Sequence, residues 1–553
     1  MKRCWLLVGL LVCVGVPSAA WALGDDGPAA PRFRHGVASG DVTPRRAILW
    51  TRVDRAATLK VEVWNSAASG GKEVFQDVVR AKAQNDFTVK IDAKGLRPST
   101  SYRYRFRSVC DQDDNRRELE HAAYKQGDDG DDTGRCHGSA ASPVGKFETA
   151  PRPNVAADAR FGYTADSDGT KTNRPSTYKA FEVLDRIREE NPDFWSYLGD
   201  TIYGDSHLRA SPATTLDEYR DAYKENRTYP ALLNLLKSTS TYAQWDGQEV
   251  QDDFDGQTVD PARYAAGRKA FLEYMPIRDT NLLKDPSCAG PPLYREFKWG
   301  SEIHLIIPDE RSCRSASVES ACPNPPAHPL GPTDPAPTAP QQQRSEFFLP
   351  PPPQECLDAL ADPHRTMLGP VQKRAFKDAL LNSPAKFKLV LNEVPIQQLW
   401  YVPYDRWEGY EAERREIIDF IRDHNIQGVL FLTTDFHATL VNQVFIDRND
   451  DPQPVFDEAV TGPISSDTQQ QQILMSIGPV FGPPALAAVN RLMDLAGMDC
   501  RQLDRFSYGS VNAAIGQPTP TIAFRDDTGA PIQNQGGLTG GPVCVYPPAP
   551  PVP

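Results

Sequence analysis

Long apolar runs are missing from most of this 553-residue sequence. Beyond the first residues no stretch approaches the roughly 20 consecutive apolar residues that a helix needs to cross a bilayer, so no membrane span is expected in the body of the chain. Basic residues do not predominate either. With 60 Lys+Arg against 73 Asp+Glu and a net charge of −13, a general nucleic-acid binder is excluded. An anionic membrane would repel such a surface on average. No Cys-x-x-Cys occurs among the ten cysteines, which removes the usual spacing of a zinc cluster. Internal repeats are also absent, so a solenoid or propeller is not indicated. Proline, by contrast, is abundant at 50 residues. Helix interiors exclude it, so the chain must carry much loop or irregular sequence.

The start of the chain points to export. Lys2 and Arg3 precede an apolar run from Cys4 to Val16, and Ala20-Trp21-Ala22 supplies a small-x-small cleavage site. This predicts a signal peptide over residues 1–22 and a secreted or periplasmic mature protein. Eight cysteines would remain, an even number in an oxidising compartment. Four disulfides are consistent with that count, but eight cysteines permit 105 pairings. Proximity in sequence suggests Cys110 with Cys136 and Cys500 with Cys544.

Two regions follow. Short alternating runs at Ala47 to Trp50, Leu59 to Trp64, Phe87 to Ile91 and Tyr102 to Phe106 have the period of two expected of half-buried strands. They predict an N-terminal β-sandwich over residues 33–150, similar to fibronectin-type or immunoglobulin-type domains. Strand-like segments at Arg160 to Ala165, Phe194 to Leu198, Ile303 to Ile307, Phe387 to Leu391 and Val429 to Leu432 then alternate with helical patterns, an α/β region over residues 158–545. Much of the proline falls in an insertion at residues 323–353 and in the tail from residue 547.

Four of the later strands end in groups suited to metal ligation: Asp166 and Asp168, Asp200 and Tyr203, Asn392 and Glu393, Asp435 and His437. Open α/β sheets present ligands from the carboxyl ends of their strands. A hydrolase that activates water with metals needs such groups to converge on one or two cations. Any one of these residues alone would read as a cap or turn former.

Taken in order, the set resembles the calcineurin-like metallophosphoesterases, and most closely their PhoD-like alkaline phosphatase branch. The resemblance spans Phe33 to Ile446. It includes Phe33-Arg34-His35-Gly36-Val37-Ala38-Ser39-Gly40-Asp41, Leu198-Gly199-Asp200-Thr201-Ile202-Tyr203, Asp309-x-Arg311, Asn392-x-Val394-Pro395, Trp407-Glu408-Gly409-Tyr410 and Asp435-x-His437. It implies two mixed sheets flanked by helices, and hydrolysis of phosphomonoesters or phosphodiesters by metal-activated hydroxide. It also implies Asp166, Asp200, Tyr203, Asn392, Asp435 and His437 as metal ligands, with Asp200 bridging and Tyr203 as a phenolate on ferric iron. Mostly oxygen donors suit calcium, magnesium or manganese at the neighbouring positions better than zinc.

The sequence departs from that branch at Trp245-Asp246-Gly247-Gln248-Glu249, where Gly247 stands for an expected ligand and Gln248 for a histidine that protonates the leaving group. Glutamine is no proton source near neutral pH. Asp246, Asp252, Asp253 or Asp168 would have to restore the lost carboxylate. Arg311 is either a phosphate clamp or the ion-pair partner of Asp309. Two other functions remain open: a secreted binding protein that keeps the scaffold without turnover, and a haloacid-dehalogenase-type phosphatase with Asp166 as nucleophile in Asp166-x-Asp168-x-Thr170.

Overall fold

The computed structural model describes residues 30–66, 72–109, 139–171, 180–278, 283–318, 321–322, 354–399, 405–447, 451–536 and 541–548. The expected signal peptide, the expected Cys110–Cys136 pair and the proline-rich insertion at 323–353 lie outside them.

Two large sheets face one another. The first has nine strands, in the spatial order Val545–Tyr546, Thr521–Asp526, Ser507–Ala513, Ala159–Thr164, Phe194–Leu198, Ser240–Gln244, Val37–Thr43, Arg46–Arg52 and Thr88–Lys94. The second has seven: Arg295–Trp299, Ile303–Ile307, Phe387–Leu391, Val429–Thr433, Asp451–Val460, Thr439–Asp447 and Met498–Gln502. Their central strands are short, parallel and buried on both faces, as a sheet covered on each side requires. Phe194 of the first sheet packs against Trp299 of the second with ring centroids 4.8 Å apart, and Tyr163 donates its hydroxyl to the Ala459 carbonyl across the interface at 2.9 Å. Helices Glu182–Glu189 and Pro230–Ser238 cover the outside of the first sheet through Leu184, Ile187, Leu232 and Leu235. Helices Gly369–Asn382 and Glu411–Asp423 cover the second through Phe376, Leu380, Ile417 and Ile421.

The N-terminal region is rich in β-strand but is not sealed off from the rest. Strands Glu73–Ala81, Ala57–Asn65, Ser101–Ser108 and Gly145–Glu148 form an antiparallel sheet of their own. The other three N-terminal strands extend the nine-stranded sheet. The join is parallel pairing of Ser39 and Gly40 with Ser240 and Thr241. Strand Glu73–Ala81 lacks clean alternation and has no counterpart among the runs read from the sequence. Disulfides join Cys288 to Cys313, Cys322 to Cys356 and Cys500 to Cys544, and the last is one of the pairs expected from sequence.

Candidate metal centre

The ligand candidates lie where strands stop. Asp166 follows Ala159–Thr164, Asp200 follows Phe194–Leu198, Asn392 follows Phe387–Leu391, and Asp435 and His437 follow Val429–Thr433. Four of them hold left-handed backbone, with φ of 63° at Asp166, 45° at Asp200, 62° at Asp435 and 53° at His437. Non-glycine residues adopt this region at a cost, and such strain collects where a side chain must be aimed. Gly199 makes the turn before Asp200 at φ 91°, and a Cβ there would meet Asp246 Cβ at 2.5 Å. Gly199→Ala is therefore expected to destabilise the fold by about 1–3 kcal/mol and to displace Asp200, visible as a lower melting temperature together with lost activity.

The side chains converge. Ligand atoms of Asp166, Asp200 and His437 lie within 4.8 Å of one another. Tyr203 Oη is 3.1 Å from His437 Nε2, which is 3.9 Å from Asp166 Oδ1. The Asp467 carbonyl sits against His437 Nδ1, with Ser466 Oγ 3.1 Å away. A carbonyl only accepts, so Nδ1 carries the proton and Nε2 turns its lone pair to the cluster. Burial pushes the imidazole pKa down to about 4, so it is neutral near pH 7.

Burial also raises Asp166, Asp200 and Asp435 well above the ordinary carboxylate range, and their repulsion of one another and of Asp246 adds to it. Both oxygens of Asp166, Oδ2 of Asp246 and Oδ1 of Asn392 are buried with no hydrogen-bond partner among the described residues. Asn392 spends its Nδ2 on the Val394 carbonyl and Thr433 Oγ1, which leaves its oxygen as the open acceptor. Acceptors without donors, mutually repelling carboxylates and one neutral imidazole make a donor set that a hard cation satisfies. The residues therefore fit metal ions.

Above this floor opens a cleft of about 430 Å³. Among the described residues its lining includes eight aspartates, one arginine (Arg406) and no lysine. Gln248 lies in the wall: its backbone N–H donates to Asp200 Oδ1 at 2.9 Å, and its Nε2 donates to Asp252 Oδ1 at 2.8 Å. Of the four aspartates considered as replacements for the missing carboxylate, Asp168, Asp252 and Asp253 line the cleft and Asp246 lies beneath it. A Cβ at Gly247 would stand 2.9 Å from Asp253 N, so the backbone carrying Asp252 and Asp253 occupies the space a larger residue would need. Asp168 accepts Thr170 N in its own loop at 2.9 Å and Ser206 Oγ, from the loop after Asp200, at 2.5 Å.

Arg311 is fully buried and does not line the cleft. Its Nε donates to Asp246 Oδ1 at 2.6 Å, and its Nη1 and Nη2 donate to the two oxygens of Asp405 at 2.6 and 3.0 Å. From Arg311, Asp309 accepts the backbone N–H at 3.1 Å and not the guanidinium; its other donors are Trp245 Nε1, Leu293 N and the N–H and hydroxyl of Ser312. Neither the Asp309 ion pair nor a phosphate contact is the arrangement seen. Sequence reasoning missed Asp405, which also holds Arg314, and Glu249, which fastens the Asp200 loop through Thr201 N and Oγ1 at 2.6 Å each. Asp405 stands in sequence without helical or strand periodicity, and Glu249 sits beside two substituted motif positions, so neither carried a local signal.

Residues 172–505 match the PhoD-like phosphatase family, and residues 18–119 match the PhoD-like phosphatase N-terminal domain. Alkaline phosphatase D of Bacillus subtilis (strain 168) is 24% identical over 484 residues, covering 78% of this chain and 70% of that protein. A solved structure of PhoD superposes with a TM-score of 0.65 at 21% identity, covering 92% of this chain and 94% of that one. A purple acid phosphatase from yellow lupin (Lupinus luteus) seeds superposes with a TM-score of 0.52 at 10% identity, covering 92% of this chain and 74% of that one. The match takes in more than half of the sequence and includes Asp200, Tyr203, Asn392, Asp435 and His437. This chain belongs to the PhoD-like phosphatase family.

Proposed function

We propose that this protein hydrolyses phosphate esters outside the cytoplasm, at metal ions held by Asp166, Asp200, Tyr203 and His437 with Asn392 and Asp435 beside them. The observation that carries this reading is the buried set of unpartnered oxygens at the base of an acidic cleft. When bound, the metals would lower the pKa of water and neutralise phosphate charge. A phenolate ligand favours ferric iron near Tyr203, and the oxygen-rich neighbours favour calcium, magnesium or manganese.

This chain's own residues do the rest. Asp467 holds the His437 tautomer, and Glu249 and the Gln248 N–H fix the Asp200 loop. Arg406 is the arginine placed to meet a substrate oxyanion at the cleft wall. Gln248 hydrogen-bonds but delivers no proton, so the preferred esters are those whose leaving group departs as an anion. Nitrophenyl esters should be hydrolysed much faster than alkyl esters of the same phosphate. The disulfides accord with an oxidising compartment.

The dehalogenase-type alternative gains nothing from the site, where Asp166 is grouped with Asp200 and His437 and no lysine lines the cleft among the described residues. Assays on a nitrophenyl monoester and diester, with metal analysis of the same preparation, test the proposal. Turnover that disappears with chelator and returns with metal is expected. A folded protein that binds no metal and turns over neither ester would overturn the proposal in favour of a binding role. Tyr203→Phe is expected to abolish visible phenolate-to-iron absorption and to cut turnover about 10²-fold or more. An unchanged spectrum would remove Tyr203 from the ligand set.

A further inference from the structure

The wall of the cleft continues into an unusual helix. Residues Gln469–Ala496 begin with a capping box at Thr468 and Gln471, and Gln469 and Gln472 line the cleft. From Thr468 to Asn490 the sequence carries no Asp, Glu, Lys or Arg. The segment Gln469–Asp494 is long and apolar enough to cross a membrane by length and composition. It is not one straight helix, however. Gly478 has non-helical backbone at φ 82° and ψ 173°, with Pro479, Pro483 and Pro484 after it.

The chain folds back at this kink. A Cβ on Gly482 would meet Leu474 atoms at 3.0–3.4 Å, although residues eight apart in a straight helix are about 12 Å apart. The base of the hairpin is anchored, since Ile473, Ala488, Val489 and Leu492 pack with Leu440, Val460 and Met498. Its tip is not covered by the described residues: Met475 is 57% exposed and Val480 73%. Met475 follows Gln472 by three residues, so it lies on the cleft-lining stripe about one turn farther out.

We infer that this tip inserts into the surface of a lipid bilayer and presents the cleft to the phosphodiester headgroup of a membrane lipid. An uncharged apolar tip fixed to a rigid base is the composition that enters the headgroup boundary, and two exposed side chains give reversible association rather than a span. Charge decides which bilayer. The eight aspartates around the cleft and the net −13 of the chain oppose an anionic surface, so the partner is a zwitterionic one. The lipid substrate class rests on the phosphoester reading above, whereas docking itself does not.

Cosedimentation with phosphatidylcholine vesicles tests docking. The full-length protein is expected to bind, and to bind less when phosphatidylglycerol replaces part of the lipid. The double variant Met475→Asp, Val480→Asp should lower the bound fraction about tenfold, with unchanged thermal melting and unchanged hydrolysis of a soluble nitrophenyl diester. Equal binding by variant and parent, or no binding by the parent, would overturn the inference. So would a parent dimer that the variant converts to monomer, because the tip would then face a second copy of the chain. Loss of nitrophenyl diesterase activity in the parent would instead count against the proposed function, so the two failures are separable.

Discussion

Replacing Asp200 by Asn is expected to lower kcat/KM for a nitrophenyl ester on the order of 10³-fold or more while the protein stays folded. Asparagine keeps the shape, so the Gln248 N–H retains its acceptor and the left-handed turn after Gly199 is undisturbed. What disappears is one negative charge among Asp166, Asp246 and Asp435, and with it much of the hold on a cation. The stability effect should then depend on metal. With metal present the parent is the more stable protein, because binding to the native state alone adds to stability: about 4 kcal/mol at a thousand times Kd. With chelator the order should reverse, since the variant removes one member of a set of buried like charges. Thermal melting of both proteins with and without chelator checks this. A variant less stable than the parent in both conditions would mean that Asp200 is structural.

A comparably large effect, on stability rather than chemistry, is expected at Arg311. Its guanidinium is buried between Asp246 and Asp405, at 2.5 Å from Asp246 and 2.6 Å from Asp405. Burial alone would lower its pKa, and the two carboxylates reverse that and hold it well above the usual value. The same contacts, shared with Arg314, hold Asp405 well below the carboxylate range despite its burial. Arg311→Met should therefore cost about 3–5 kcal/mol, mostly because it strands the buried Asp246 carboxylate and leaves Asp405 with Arg314 alone, and not because the pair itself is worth that much. Adding Asp246→Asn should recover part of the loss, and a denaturant double-mutant cycle measures the coupling. If Arg311→Met instead leaves stability within about 0.5 kcal/mol and raises KM, Arg311 is a substrate contact after all.

The contrast between Arg311 and the proposed metal ligands shows what the sequence could convey. Asp166, Asp200, Tyr203, Asn392, Asp435 and His437 were legible because each ends or follows a short apolar strand, and order along the chain then becomes position along one edge of the sheets. The partners of Arg311 were not legible. Asp405 is 94 residues away and Asp246 is 65 residues away, in segments without periodicity, and only the folded chain brings them together. The N-terminal strands repeat the lesson. Their alternation located Arg46–Arg52, Ala57–Asn65, Thr88–Lys94 and Ser101–Ser108 to within a few residues. Nothing local announced that Ser39 would pair with Ser240 and join the region to the nine-stranded sheet. The helix at Gln469–Ala496 escaped for another reason: its glycines and prolines interrupt helical periodicity, while the base is buried by Leu440, Val460 and Met498 from other strands.

Metal analysis of protein purified without chelator and without added metal bears most directly on the central claim, that the Asp166, Asp200, Tyr203 and His437 cluster is a hydrolytic metal centre. Stoichiometric iron is expected together with a second hard cation, the iron and its visible absorption lost in Tyr203→Phe and both metals depleted in Asp200→Asn. A metal-free preparation that hydrolyses nitrophenyl esters equally well before and after chelation would contradict it.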